Sequence, residues 1–235
     1  MPDASDAGPA VPAAPPIVDV QFPARRALLE SYAGILATDG VRRGLLGPRE
    51  VDRLWERHLL NCAVLAPLIE PSAAVADVGS GAGLPGLVLA IVRPDLAVTL
   101  IEPLLRRTTF LLETIDRLEL PNAVVRRSRA ESCPDLFATF DVVTARAVAP
   151  LDRLVGWALP LLRVGGRLLA LKGANAGAEV AAAGPRLDRL QVRSVTVRGC
   201  GQESVDPTTS VVEITAGVSR RPGWRAGGGE RQCFT

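Results

Sequence analysis

The residues with the clearest chemical potential are Asp77 and the glycines that follow it, in the run Asp77-Val-Gly79-Ser-Gly81-Ala-Gly83-Leu84-Pro-Gly86. A short apolar block, Val75 to Val78, precedes this run, and an apolar helical pattern follows it. A glycine motif acquires meaning in that strand-turn-helix context. Glycine allows backbone conformations closed to other residues and lets a ligand lie against bare main chain. The turn falls at the carboxyl end of the first strand, where open α/β sheets bind their ligands.

Two cofactor chemistries compete for such a turn. Gly81-x-Gly83-x-x-Gly86 satisfies the dinucleotide fingerprint, which keeps a nicotinamide-dependent oxidoreductase open. Asp77, just inside the strand, would repel a pyrophosphate there but suits the sulfonium and α-amino group of S-adenosyl-L-methionine. Leu84-Pro85-Gly86 also replaces the helix-start residues that would meet a phosphate. Glu102, ending the second strand, is placed to accept hydrogen bonds from ribose hydroxyls in either class. Ala130 and Glu131, after the third strand, are placed to meet an adenine ring, or Glu131 is simply an acid at a helix start. The predicted cofactor set is therefore Asp77, Gly79, Gly81, Gly83, Glu102, Ala130 and Glu131.

Other candidates stand apart from the turn. Among the 27 Lys and Arg residues only Lys172 is a lysine, so an ammonium has been kept at one place where a guanidinium does not fit, or by chance. His58, the single histidine, lies at helical spacing with Leu54, Trp55, Leu59 and Cys62, as a positioning group or a packed residue. Arg146 follows the fourth strand, ready to orient a substrate edge or phosphate, or to pair structurally with Asp141.

These residues need an alternating scaffold. Apolar blocks at Val75–Val78, Ala97–Ile101, Ala123–Arg126, Val142–Ala145, Arg167–Leu171, Val192–Val197 and Ser210–Ile214 read as strands. Between them, helical patterns run over Leu84–Val92, Leu104–Leu118, Leu151–Leu162 and Glu179–Leu190, the last disturbed by Gly184-Pro185. Alternation of this kind predicts a doubly wound α/β sheet, mostly parallel, with an aliphatic core. Residues 1–19 read as a disordered Pro/Ala tail and 20–71 as a helical N-terminal extension. Its first helix spans Arg25–Leu36 and is broken by Asp39-Gly40; a second starts near Pro48. Residues 72–216 are the expected core and 217–235 a flexible Arg/Gly-rich tail.

Composition excludes several classes. Four widely spaced cysteines form no metal or disulfide pattern, so free thiols in a reducing compartment and no metal are expected. No signal peptide or membrane-length apolar run is seen, giving a soluble cytoplasmic protein with no membrane partner. Net charge is +2; Arg220, Arg221, Arg225 and Arg231 against Glu230 put a surplus of three in the tail, leaving the remainder at −1. Binding to nucleic acid must then use local patches, for which Arg106, Arg107, Arg126, Arg127, Arg129 and Lys172 are candidates.

Taken with Arg57-His-Leu-Leu-Asn61, Ser128-Arg-Ala-Glu131, Thr144-Ala-Arg-Ala147 and Leu171-Lys-Gly173, the glycine run resembles the RsmG (GidB) family of bacterial 16S ribosomal RNA guanine-N7 methyltransferases. The likeness covers roughly residues 25–216. It implies a class I S-adenosylmethionine-dependent methyltransferase, Rossmann-like with a seven-stranded mostly parallel sheet, acting on 16S ribosomal RNA or the small ribosomal subunit; separately, a monomer is expected. It places cofactor contacts on Gly79, Leu84, Ala130, Glu131 and Arg146, and Arg146, His58 and Lys172 in the active site, with Asn61 beside them. Asn61 departs from the family, which shows an acid there, and Thr144-Ala145 varies the residues before the arginine. Methylating guanine N7 needs no general base, because that atom carries a lone pair and no proton. A non-catalytic ribosome assembly factor on the same fold is the remaining alternative.

Overall fold

The computed structural model describes residues 11–202 and 208–217. Seven strands form one sheet: β1 (Ala74–Val78), β2 (Ala97–Ile101), β3 (Ala123–Arg126), β4 (Phe140–Arg146), β5 (Leu162–Lys172), β6 (Ser194–Cys200) and β7 (Thr209–Thr215). Their spatial order is β3-β2-β1-β4-β5-β7-β6, with β7 antiparallel to both neighbours and every other pairing parallel. The chain winds outward in both directions from β1 and β4, so the crevice between their carboxyl ends is the topological switch point.

Side chains alternate across the sheet, as strand geometry requires. Val75, Val98, Leu100, Val142 and Leu169 enter one buried cluster, while Ala76, Val78, Val143, Leu168 and Ile214 enter the other. The first face is covered by the helical preface and by α4 (Gly86–Val92) and α5 (Leu105–Arg117); the second by α6 (Leu151–Ala158) and α7 (Ala176–Arg189). Asp77 falls in register with Val75, so its carboxyl enters the face beneath the preface.

The preface departs from expectation in three ways. Residues 11–19 are not a free tail: α1 (Ile17–Gln21) forms, Val18 and Ala14 are buried, and the Trp55 indole N–H donates to the Pro12 carbonyl at 2.8 Å. Two apolar side chains and one backbone acceptor suffice to seat a segment that looked featureless by composition. Asp39-Gly40 does not break the first helix. α2 (Arg26–Ile35) continues through a wide π-helical turn, Leu36–Gly40, which buries Gly40 and lets Asp39 reach Arg42 and Arg117 at 2.6 Å each. The chain leaves the helix at Gly44, with φ 65°. The second helix is a composite of a 3-10 turn (Pro48–Arg53), a π-helical stretch (Leu54–Leu60) and α3 (Asn61–Ala63).

In the core, α4 begins at Gly86 rather than Leu84, α7 runs through Pro185, and β6 starts two residues late. Among the described residues no helix is long and apolar enough to cross a membrane. Of the tail at 217–235, all but Gly217 lies outside the described residues.

Candidate active site at the switch point

The glycine turn takes the positive φ values that its sequence demands: 69° at Gly79, 58° at Gly81 and 96° at Gly83. A Cβ on Gly83 would lie 2.4 Å from Leu87 Cδ1 and 2.8 Å from the Tyr32 hydroxyl. That hydroxyl, fully buried, donates to the Ala82 carbonyl at 2.7 Å, so the preface grips the turn from behind.

Asp77 is completely buried. Its Oδ2 accepts from the Gly86 amide at 3.1 Å and its Oδ1 from the Thr144 hydroxyl at 3.0 Å. Burial raises its pKa to about 7, against the hydrogen bonds, which pull it down. The carboxylate is therefore not exposed to touch a ligand; it holds the turn shut and projects its field into it. This geometry also disables a phosphate cradle. An anion site at a helix start needs free N–H groups, but here the Leu84 amide bonds Ser80 O, Pro85 has none, Gly86 bonds Asp77 and Leu87 bonds Gly83 O.

Glu102 is 1% exposed and accepts from the Gly81 amide and the Leu104 amide, each at 3.0 Å, with Arg107 3.6 Å away. It stands beneath the turn, closed off from solvent like Asp77, with each of its oxygens accepting a backbone amide. Ala130 is buried while Glu131 is exposed, 4.0 Å from Arg129. Together with Gly79, Ile101, Val148 and Trp157 they line an apolar pocket of about 100 Å³ beside the turn. Leu84, on the other side of the turn, is half-buried. The turn and this pocket meet at Gly79, with Glu102 bonded to the turn from beneath.

On the β4 side, Arg146 is held by the preface. Its Nη2 donates to the Arg57 carbonyl at 2.8 Å and to His58 Nδ1 at 3.1 Å, and its Nη1 to Cys62 Sγ at 3.3 Å. A guanidinium only donates, so His58 Nδ1 must accept and the ring proton sits on Nε2. Nε2 then donates to Glu50 at 2.9 Å. His58 is 9% exposed, and burial, followed by the Arg146 charge, lowers its pKa. The imidazole is neutral near pH 7, and its lone pair is engaged by Arg146. It orients the arginine and is not available as a base. The alternative pairing of Arg146 with Asp141 is not found: Asp141 bonds Arg163 and the Ala74 amide instead.

Sequence reasoning missed Glu50. Only its place eight residues before the histidine, across a 3-10 to π transition, brings the two together. Cys62, the sulfur beside Arg146, is buried and its thiol is pushed up to about 11 by that burial. Lys172 is 10% exposed at its side chain, and its Nζ donates to Ala149 O at 2.9 Å and to Glu179 at 2.7 Å. Glu179 also accepts the Leu151 amide, so this lysine ties the loop after β4 to α7. Asn61 donates to the Thr209 hydroxyl. Arg57, Asn61, Arg146, Lys172 and Thr209 all line an open cleft of about 810 Å³.

The remaining arginines are more dispersed. Arg106 and Arg127 are exposed; Arg126 pairs with Asp135 at 2.7 Å. They lie around β2 and β3, away from the lining of the large cleft.

A family model described as GidB: rRNA small subunit methyltransferase G matches residues 25–208. Proteins named Ribosomal RNA small subunit methyltransferase G are close in sequence. The one from Thermobifida fusca is 56% identical over 197 residues, 84% of this chain and 83% of that protein. The one from Salinispora tropica is 53% identical over 222 residues, covering 90% and 92%. Among solved structures, a SAM dependent methyltransferase from Aquifex aeolicus superimposes with a TM-score of 0.53 at 18% identity, over 73% of this chain and 99% of that one. At that identity the likeness is one of fold, and the fold is the class I methyltransferase sheet. From the extent of the family match and the identity of these relatives, the chain belongs to the rRNA small subunit methyltransferase G (GidB) family.

Proposed function

We propose that this protein transfers the methyl group of S-adenosyl-L-methionine to N7 of a guanine in the decoding-region loop of 16S ribosomal RNA. Membership of the family makes it a small-subunit rRNA methyltransferase; the choice of atom and loop is our reading. The observation that carries the cofactor assignment is the closed helix start behind Asp77. Its amides are engaged and a buried carboxyl backs them, which suits a cationic sulfur compound and disfavours a pyrophosphate. The nicotinamide alternative fails on the same ground.

In this reading Gly79, Gly81, Gly83 and Leu84 shape the turn around the amino-acid end of the cofactor. Glu102, as buried as Asp77, braces Gly81 and Leu104 on the ribose side, and Ala130 and Glu131 flank the adenine. S-adenosylmethionine supplies a methyl group already activated on positive sulfur. The protein's task is then alignment, a proximity effect of at most roughly 7–11 kcal/mol. Arg146 retains an Nε–H and one Nη1–H beyond its three bonds, two separate single donors for an acceptor carbonyl or phosphate oxygen. With the lone pair of His58 engaged, the site is built to position and not to deprotonate, which accords with an acceptor nitrogen that bears no proton. Lys172 and Asn61 fix the far wall of the cleft. We take the protein to act in the cytoplasm, as a monomer, on the small subunit or its RNA, with residues 72–216 as the catalytic core.

The test is to react labelled cofactor with small-subunit RNA from a strain lacking the enzyme and map the modified nucleotide by cleavage at 7-methylguanine. One labelled guanine in that loop is expected. Label on another base overturns the site, and RNA binding without any incorporation favours the assembly-factor alternative.

A further inference from the structure

Outside the cleft, α6 and α7 lie side by side and leave a groove of about 430 Å³ between them. Its floor is Gly156, where a Cβ would sit 2.8 Å from Arg186 Nη2; the missing side chain lets that guanidinium settle on α6. One wall is Trp157, with the Arg153 guanidinium 5.6 Å from the ring centroid. Arg189 stands beside them, its Nε–H donated to the Pro185 carbonyl. Asp152 is the one acid in the lining, against Arg153, Arg186 and Arg189. Arg153 and Arg186 are both exposed, and neither has an acid partner among the described residues.

Its location is informative. α6 starts one residue after Pro150, which lines the acceptor cleft, and Arg153 lies only about 5 Å further along the helix axis. Trp157 is shared with the apolar pocket beside the glycine turn. The groove is thus an arginine-lined extension of the catalytic face, and a cationic channel with an aromatic wall is what single-stranded nucleic acid uses, through phosphate contacts and stacking.

We infer that this groove seats a single-stranded segment of the RNA flanking the target nucleotide, with Arg153 and Arg186 on its phosphates and Trp157 as the stacking wall. The inference rests on the rRNA reading above. It assigns RNA contact to α6 and α7, on elements none of the arginines singled out from the sequence occupy.

The test measures affinity of the full chain for protein-free 16S RNA and for small subunits across a series of monovalent salt concentrations. Wild type, Arg153→Gln, Arg186→Gln and the double variant are compared, with affinity for S-adenosylhomocysteine as the control. For each arginine removed, the slope of log affinity against log salt becomes less steep by about 0.7 to 0.9, on both RNA forms, with the control unchanged. Arg186→Gln, which is remote from the cofactor pocket, decides the matter if Arg153→Gln disturbs the control. Unchanged slopes on both forms overturn the inference. A change on the particle alone also overturns it, in favour of an acidic protein partner. Failure of wild-type protein to methylate either RNA would strike the functional reading instead, and is scored separately.

Discussion

Replacing Asp77 by Asn tests the link between the buried carboxyl and the cofactor. The side chains are nearly isosteric, and the hydrogen bonds survive: the amide oxygen accepts from Gly86, and the NH₂ donates to the Thr144 hydroxyl, whose proton turns to the Ala76 carbonyl 3.5 Å away. What changes is the charge. A carboxyl titrating at about 7 in the folded protein and near its ordinary 3.8 when unfolded binds its proton more tightly in the native state. Its contribution to stability is fully present below pH 4 and is lost as pH rises toward 7, in all about 4 kcal/mol. In Asp77→Asn this loss disappears. Urea denaturation of cofactor-free protein should show the variant gaining on wild type by roughly 2 to 3 kcal/mol between pH 5 and pH 8. Calorimetric titration at pH 8 should show it binding S-adenosylmethionine at least tenfold more weakly, roughly 1.4 kcal/mol. Parallel stability curves for the two proteins would refute the burial argument, and equal cofactor affinity at pH 8 would refute the electrostatic one.

Three further substitutions probe the rest of the site. Arg146→Ala leaves the Arg57 carbonyl and His58 Nδ1 without their donor and should lower turnover about 100-fold or more, as loss of a transition-state donor does; near-normal kcat in a single-turnover assay rules out an essential role. Tyr32→Phe removes one buried hydrogen bond to the glycine turn, costing about 1 kcal/mol in a denaturation experiment, and should raise the cofactor Kd several-fold; an unaltered Kd means the turn holds itself. Lys172→Arg forces a broader planar head between Ala149 and Glu179, so kcat/KM should drop by about an order of magnitude while the melting temperature hardly moves, and full activity would make the lone lysine an accident of composition.

The parts of the fold that could be read in advance are those encoded locally. β1, the glycine turn and β2 lie within a residue of where the sequence puts them because short apolar blocks are punctuated there by Gly and Pro. Glu102 and Ala130 came with that pattern. The preface was less readable for an identifiable reason. Gly40 inside a π-helical turn has the same local signature as a helix stop, and only burial against the core keeps the helix going. The seating of Val18 and Pro12 is likewise a tertiary matter. Arg146 was found by position, but its true partners are a carbonyl, an imidazole and a thiol 84 to 89 residues away, and no spacing rule connects them. Asp77 reads from sequence as a cofactor contact, whereas its complete burial leaves it bonded to the turn itself, so any influence on a ligand is through its field.

The phenol of Tyr32 has an evolutionary corollary. Because the residue that grips the ligand loop is supplied by the segment upstream of the sheet, the two cannot be exchanged as interchangeable modules. A hybrid that grafts a foreign amino-terminal piece onto this sheet would lose its hold on the loop unless the graft also carries an aromatic hydroxyl at that spot, so natural recombination has reason to move both pieces as one block.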